Sequence, residues 1–281
     1  ANQAGSTRRD RFSIDHLVQG AGAWFDTLES RLHIQDSEVE DITTARYITG
    51  GQPVLRHIAT SFNNRSVGFA RNASKRLGSN ELAYGVSIEQ ADTERPWREE
   101  RLVVNTGAQQ VTNKNRMADM QSLRFSGFAR AEVVLSSWAS VTPGLRYDWR
   151  ELKPNSTANY AIGIPNASRE LKKETDSHLT PSLTLTAQVA PSLQTYLQYS
   201  RGTRLPTSAE RTGTYDSLSY TGTGNAYAVI GNPNLDKETS NAFELGLKGA
   251  VARGLRLHAA VFNTRYKNLI EYASQPADPV N

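Results

Sequence analysis

Residues 182–189 read Ser-Leu-Thr-Leu-Thr-Ala-Gln-Val, so that every second side chain is apolar. Successive side chains of a β-strand point to opposite faces, and this segment would therefore present one apolar face and one polar face. The apolar face would carry Leu183, Leu185, Ala187 and Val189. The alternation resumes after Pro191 and continues to Tyr199. Together the two segments predict a β-hairpin in a wall that has lipid on one side and water on the other.

The same alternation recurs in about ten segments between Phe12 and Tyr272, joined by connections that are short and long in turn. The short connections are 20–22, 78–80, 136–138, 190–192 and 252–254, and the long ones are about 36–63, 91–120, 151–177 and 202–240. Tight turns at one rim and long loops at the other are typical of bacterial outer-membrane barrels. The sequence therefore predicts an all-β fold: an antiparallel transmembrane β-barrel section of about ten strands, with short periplasmic turns and long extracellular loops.

Strand length distinguishes a membrane barrel from a soluble β-sandwich, in whose strands apolar and polar residues also alternate. A tilted membrane strand needs about 9–11 residues, against about 5 or 6 in a typical soluble strand, and the segments here are of the longer kind. The mean hydropathy of −0.54 fits a barrel, which places its lipid-facing residues by alternation. The chain has no cysteine, which excludes disulfides and thiol-bound metals. The net charge is +4, and the lysines and arginines are not clustered in a basic stripe. The sequence therefore gives no support to nucleic-acid binding.

Two motifs frame the last long loop. Residues 199–206 read Tyr-Ser-Arg-Gly-Thr-Arg-Leu-Pro, and residues 231–240 read Gly-Asn-Pro-Asn-Leu-Asp-Lys-Glu-Thr-Ser. Together they resemble the TonB-dependent outer-membrane receptors, in which the first motif ends a strand and the second leads into the next. The resemblance is closest to the branch that takes up haem from haemoglobin or haemophore proteins, and residues 265–271, Arg-Tyr-Lys-Asn-Leu-Ile-Glu, resemble the strand end that follows in that branch.

The resemblance implies a function in transport and no enzymatic activity. Residues 1–281 would be part of the receptor barrel domain, a mid-barrel section without the plug domain or the terminal strand. The parent protein would sit in the outer-membrane lipid, import haem or a ferric chelate with energy from the TonB complex, and hold no intrinsic cofactor. A haemoglobin or haemophore would be a possible protein partner. A ferric-siderophore receptor is the alternative within the same family.

The candidate site lies in the loop over residues 202–240, which we call the motif loop. Its framing residues are Arg204, Pro206, Glu210, Asn232, Pro233, Asn234 and Leu235. The two prolines remove backbone donors and can end strand pairing at the rim, so these residues are interpreted as structural brackets. Between the brackets, Tyr215, Tyr220 and Tyr227 offer rings and phenolic oxygens as candidate ligand contacts. The loop has no histidine from Leu205 to Glu238, and the sequence predicts no metal site.

Charged residues at alternate strand positions are predicted to face the lumen: Arg124, Arg130, Glu132, Arg146, Asp148, Glu244, Lys248 and Arg256. Loops 91–120, 151–177 and 202–240 are expected to supply the capture contacts. A different class of protein is the ten-strand outer-membrane aspartyl protease, the omptin family, because Asp176-Ser177-His178 resembles its Asp-x-His pair. A passive porin is a third alternative.

Overall fold

A computed structural model of the chain describes residues 1–20, 22–160, 171–216 and 227–274. The strands are β1 (Asn2–Gln19), β2 (Thr27–Thr49), β3 (Gln52–Leu77), β4 (Asn80–Glu94), β5 (Pro96–Val103), β6 (Ala108–Asn115), β7 (Asp119–Ser136), β8 (Ala139–Ser156), β9 (Glu174–Ala190), β10 (Leu193–Arg204), β11 (Thr214–Asp216), β12 (Ala228–Ile230), β13 (Glu238–Ala252) and β14 (Leu255–Lys267). The helix α1 (Ser208–Thr212) lies between β10 and β11.

Ten of these strands form one continuous antiparallel sheet in the order β1-β2-β3-β4-β7-β8-β9-β10-β13-β14. Each strand pairs with its neighbour along this path, as a meander does. β5 pairs with β3 and β6, and β11 and β12 form a separate small sheet. The predicted all-β antiparallel barrel section is confirmed.

Cross-strand pairing collects the apolar side chains on one face of the sheet. One row crosses six strands through Val133, Val141, Leu185, Leu197, Leu245 and Val261. A second row crosses six strands through Ile14, Leu32, Phe69, Ile88, Phe125 and Trp149. We call this surface the apolar band. Leu245 is 57% exposed, and the band is not covered by a second layer of the described structure, which fits a surface that faces lipid.

The opposite face of the same strands is polar and is the predicted lumen face. One row there contains His33, Gly68, Glu89, Arg124, Arg150 and Asp176. The imidazole of His33 lies over Gly68, and its Nε2 comes within 3.5 Å of the Glu89 carboxylate. A Cβ atom at Gly68 would collide with that ring in its present position, so glycine allows this close approach.

The short connections fall near the predicted positions, with one difference. Gly78 and Gly254 have φ of 65° and 77°, the left-handed conformation that glycine adopts without strain. The connection between β1 and β2 is longer than predicted, because β2 begins only at Thr27. Trp24 therefore lies in this connection rather than in a strand.

The long connection predicted at 36–63 was wrong. β2 and β3 continue through it as a paired hairpin and meet at a two-residue turn. Gly50 and Gly51 form this turn with φ of 53° and 73°, as a type I′ hairpin requires. The 91–120 connection contains the β5–β6 hairpin, which pairs with the outer end of β3. Among the described residues, no helix has the length and apolar character needed to cross a membrane.

Candidate functional site

The motif loop begins with a capped helix. Pro206 is fully buried before α1, and Thr207 is the helix N-cap. The Glu210 backbone N–H donates to Thr207 Oγ1 at 3.2 Å, and the Thr207 N–H donates to Glu210 Oε2 at 2.8 Å. This reciprocal pair is a capping box, which satisfies two backbone donors at the helix start. The sequence Thr-x-x-Glu thus fixes the direction in which the chain leaves β10.

The second motif packs directly against this helix. Arg211 Nη1 donates to the Pro233 carbonyl at 3.0 Å, and its Nη2 donates to the Leu235 carbonyl at 3.1 Å. The Asn232 N–H donates to the Glu210 carbonyl at 3.0 Å, while Asn232 Oδ1 accepts from the Asn234 N–H at 2.9 Å. The second motif is therefore an Asx turn held to α1 by Arg211 and by the backbone.

Arg204 joins the two ends of the motif loop. Its guanidinium donates to both oxygens of Glu238, at 2.6 and 2.8 Å, and to Glu210 at 2.9 Å. The Arg204 hydrogen bonds and the Ile270 N–H lower the pKa of Glu238 to about 2. Burial raises the pKa of Glu210, but hydrogen bonds from Thr207 and Arg204 outweigh it and leave that pKa below its ordinary value. Both carboxylates are thus held ionised beside Arg204.

The motif loop folds towards the lumen side of the sheet. Arg150 and Asp176 lie on the lumen face, and Arg150 Nη2 donates to Asp176 at 2.7 Å. Arg150 Nη1 donates to the Pro206 carbonyl at 2.6 Å, and Arg211 forms an ion pair with Glu174. Because these partners sit on the lumen face of β8 and β9, the start of the loop crosses inward over both strands.

The other two predicted capture loops are tied to the same assembly. The Thr214 N–H donates to the Arg116 carbonyl at 2.6 Å. The Asn115 N–H donates to the Asn159 carbonyl at 2.8 Å, and Lys237 Nζ donates to the Ser177 carbonyl at 2.9 Å. The described parts of loops 91–120, 151–177 and 202–240 therefore form one connected layer, which we call the loop assembly.

Buried side chains pack within the loop assembly. Met120, Leu152 and Tyr160 form an apolar cluster with Ala118, and Leu171 packs against it. Burial raises the pKa of the Tyr160 phenol. Trp97 is buried beneath two cations, with the Arg116 guanidinium 4.7 Å and Lys114 Nζ 5.0 Å from its ring centroid.

Two of the three candidate tyrosines come together in this layer. Tyr215 pairs with Val229 in the β11–β12 sheet, and its ring centroid lies 5.7 Å from that of Tyr227 at an interplanar angle of 35°. Tyr227 is exposed and Tyr215 is half-buried. Tyr220 lies outside the described residues. The exposed ring of Tyr227, beside that of Tyr215, can stack on a planar or aromatic ligand.

Sequence reasoning missed the residues that fasten the loop assembly. Arg150, Arg211, Glu174 and Trp97 were not singled out, because each acts through a partner that is remote in sequence. The burial of Arg150, Arg211 and Trp97 could not be predicted from the sequence, since an arginine in a polar loop is ordinarily solvated.

The Asp-x-His pair is not arranged as a catalytic pair. Asp176 is bound to Arg150, and His178 Nε2 lies 3.5 Å from Asp148 across the lumen face. Asp148 itself forms an ion pair with Arg146 at 2.7 Å. Within the described residues, no group of acidic or histidine side chains could hold a metal ion.

Comparison with protein families decides the identity of the fold. The model for "TonB dependent receptor-like, beta-barrel" matches residues 1–281. The chain belongs to the TonB-dependent receptor β-barrel family. It is therefore an outer-membrane receptor section from a family of transporters, and the protease alternative is wrong. A comparison with curated proteins finds no matching sequence.

Solved structures of similar fold agree with this assignment. The copper transporter OprC is 15% identical with a TM-score of 0.69, and the match covers 92% of this chain and 39% of OprC. The siderophore receptor PiuA from Acinetobacter baumannii is 14% identical with a TM-score of 0.58, over 92% of this chain and 40% of PiuA. The ferric citrate transporter FecA is 14% identical with a TM-score of 0.53, over 98% and 37%. The chain thus spans about two fifths of the length of these proteins.

Proposed function

We propose that this chain supplies capture loops and part of the lumen wall of a TonB-dependent importer for an anionic ferric chelate such as a ferric siderophore. The observation that carries the proposal is the loop assembly, which joins three outer loops and lies inward over the lumen side of the sheet at Arg150 and Pro206. A loop layer in this position would meet any ligand that enters from outside. Two of the similar structures bear the titles of a siderophore receptor and a ferric citrate transporter.

Charge on the lumen wall favours an anionic ligand. Arg124 and Arg130 are exposed on the lumen face of β7, and among the described residues neither forms an ion pair or a side-chain hydrogen bond. Ferric catecholates and ferric hydroxycarboxylates are anions at neutral pH, and a wall with unpaired guanidinium groups attracts them. Tyr215 and Tyr227 would contact aromatic parts of the chelate. Import would draw its energy through TonB and leave the ligand chemically unchanged.

Haem is the second candidate, because the paired tyrosines offer what a porphyrin needs. A tyrosine phenolate can ligate haem iron, and the neighbouring ring can stack on the macrocycle. Tyr215 and Tyr227, with Tyr220 between them in sequence, would then be the ligand-binding residues, and a haemoglobin or haemophore would dock on the loops. The copper transporter among the similar structures makes copper a third ligand to test.

One titration separates these ligands. The full-length protein is titrated with ferric citrate, a ferric tris-catecholate, an uncharged ferric trihydroxamate, haemin and Cu(II), and binding is followed by quenching of tryptophan fluorescence. We expect the double variant Arg124→Gln, Arg130→Gln to bind the anionic chelates roughly tenfold more weakly, since charge-assisted contacts of this kind are lost. The uncharged chelate should bind the variant and the parent equally.

The matched control is Arg256→Gln, which removes a lumen-facing cation from β14, five strands further along the sheet path. It should leave every affinity unchanged. Tight haemin binding with a spectral shift that disappears in Tyr215→Phe or Tyr227→Phe, together with no affinity for the chelates, would replace this proposal with haem import.

A further inference from the structure

The apolar band contains a short row of polar residues near its periplasmic side. His16 on β1 pairs with Ser30 on β2, and Ser30 pairs with Arg71 on β3. Residues directly paired in an antiparallel sheet lie on the same face. Three hydrogen-bond donors from three adjacent strands therefore stand side by side on the surface that faces lipid.

Apolar residues surround this row on the same face. The nearest residues on this face lie two positions away along each strand. They are Ile14, Leu32 and Phe69 on one side and Val18, Leu28 and Ala73 on the other. Among the described residues, none of His16, Ser30 and Arg71 takes part in a side-chain hydrogen bond or an ion pair. A guanidinium on a lipid-facing surface is costly unless it meets an anion or reaches the interface. Arg71 thus lacks a protein partner where one is most needed.

A groove opens beside Arg71 on the same face. It has a volume of about 430 Å³ and is lined by Arg71, Leu28, Ala73, Tyr84 and Gly127, with Phe25 from the β1–β2 connection. Gly127 lies in the same cross-strand row as Arg71, two strands away, and its missing side chain leaves part of the space. A Cβ atom at Gly127 would have no neighbour closer than 3.9 Å, so the space is real and can be filled.

The groove lies at the level of the inner leaflet. Lys75 is four residues from Arg71 towards the periplasmic turn and pairs with Asp26 at 2.7 Å, which marks the polar edge of the band. Four residues of a strand span about 13 Å, and a strand tilted by about 45° turns this into roughly 9 Å of depth. A long arginine side chain can cover much of that distance and reach the phosphate level of the membrane.

We propose that Arg71 binds the phosphate of a phospholipid in the periplasmic leaflet, and that the groove beside Arg71 receives the adjoining glycerol and acyl segment. Ser30 and His16 would line the lipid path deeper in the apolar band. The phosphodiester supplies the anion that Arg71 lacks, and its oxygens accept hydrogen bonds from the guanidinium. The acyl chains would continue along Phe69 and Ile88. This lipid site does not depend on which ligand the receptor imports.

Native mass spectrometry of the full-length protein tests the site. Delipidated protein in detergent is titrated with phosphatidylglycerol and, separately, with a diacylglycerol that has the same acyl chains and no phosphate. We expect one phosphatidylglycerol to remain bound, and Arg71→Leu to weaken its retention roughly tenfold, because a charge-assisted contact is removed. Gly127→Leu, which fills the groove and keeps the charge, should weaken it several-fold. Diacylglycerol should show no Arg71-dependent retention.

The matched control is Arg65→Leu, on the same strand and face as Arg71 but beyond the band, where Arg65 pairs with Asp36 at 3.0 Å. It should retain phosphatidylglycerol like the parent protein. Heat-modifiable gel mobility would show that every variant is folded. The proposal would be overturned if Arg71→Leu and Arg65→Leu retained phosphatidylglycerol equally, or if the parent protein retained diacylglycerol as well as it retains phosphatidylglycerol. Chelate affinity measured on the same variants keeps this outcome separate from that of the proposed transport function.

Discussion

Arg204 is the residue that joins the two ends of the motif loop. It binds Glu210 at the start of α1 and Glu238 at the start of β13, so it ties the departing and returning ends of the motif loop together. The pKa of Glu238 is lowered to about 2 by these contacts, against an ordinary value of 4.5. A lowered carboxylate pKa means that the stabilising effect is complete above about pH 4.5 and is lost as the pH falls towards 2.

Glu238→Gln should therefore loosen the motif loop at neutral pH. Near pH 2 the variant and the parent should behave alike, because Glu238 of the parent is then becoming protonated. The measurement is the hydrogen-exchange rate of residues 205–216, as the ratio of variant to parent at each pH, which cancels the intrinsic pH dependence of exchange. The ratio should exceed one at pH 7 and approach one at about pH 2. Glu271→Gln, at an exposed position, is the control and should give a ratio of one throughout. A ratio for Glu238→Gln that does not change with pH would contradict the assignment.

At this scale the sequence predicted some of the site and missed the rest for a physical reason. The bracket residues Arg204, Glu210 and Asn232 were found because they belong to two short motifs that resemble those of the TonB-dependent receptors, and the turn at Asn232 is itself local. Arg150 was missed because its partner Pro206 is 56 residues away, and no local pattern reports such a contact. The roles of Tyr215, Tyr220 and Tyr227 in binding remain predictions.

At the scale of elements, α1 owes its position to Arg211 rather than to its own length. A five-residue helix is too short to be stable alone. Arg211 is buried and bonds two carbonyls of the second motif and the carboxylate of Glu174. Burial lowers the pKa of the guanidinium, but arginine remains charged. This one residue therefore holds α1, the Asx turn and the start of β9 together.

Arg211→Met should release α1 from the loop assembly. Removing one partner of a buried ion pair costs about 3–5 kcal/mol, and here two backbone carbonyls also lose a donor. We expect local opening of residues 208–216 and 231–237, measured by hydrogen exchange, with the strand core unchanged. Arg201→Met, at an exposed strand-end position, is the matched control. Unchanged exchange in the Arg211 variant would show that α1 is held by other contacts.

The β2–β3 hairpin explains the wrong loop prediction at 36–63. Residues such as Asp36, Glu38 and Glu40 break the apolar alternation, and the segment was therefore interpreted as a loop. Outside the membrane both faces of a hairpin can be polar, so alternation disappears while the backbone pairing continues. The turn residues Gly50 and Gly51 were the available signal, since Gly-Gly between extended segments favours a type I′ hairpin.

For the whole molecule, the alternation of side chains determined which face meets lipid, and strand pairing converted it into a continuous surface. A one-residue slip in any strand would have placed its apolar set in the lumen, so the register is strongly specified. The inward fold of the loops could not be predicted in this way. It depends on contacts such as Thr214 with Arg116, which are 98 residues apart.

The apolar band predicts that one added charge is far more destabilising on the lipid face than on the lumen face of neighbouring strands. Leu245 is the middle residue of the apolar set Phe243, Leu245 and Leu247, and Leu245→Arg should destabilise the full-length protein in lipid vesicles by about 2–4 kcal/mol. Gln198→Arg faces the lumen beside Glu244 and should be nearly neutral. Both are measured by urea unfolding followed through tryptophan fluorescence. Equal effects of the two substitutions would mean that this face does not contact lipid, because only the contrast between hydrocarbon and water separates the two positions.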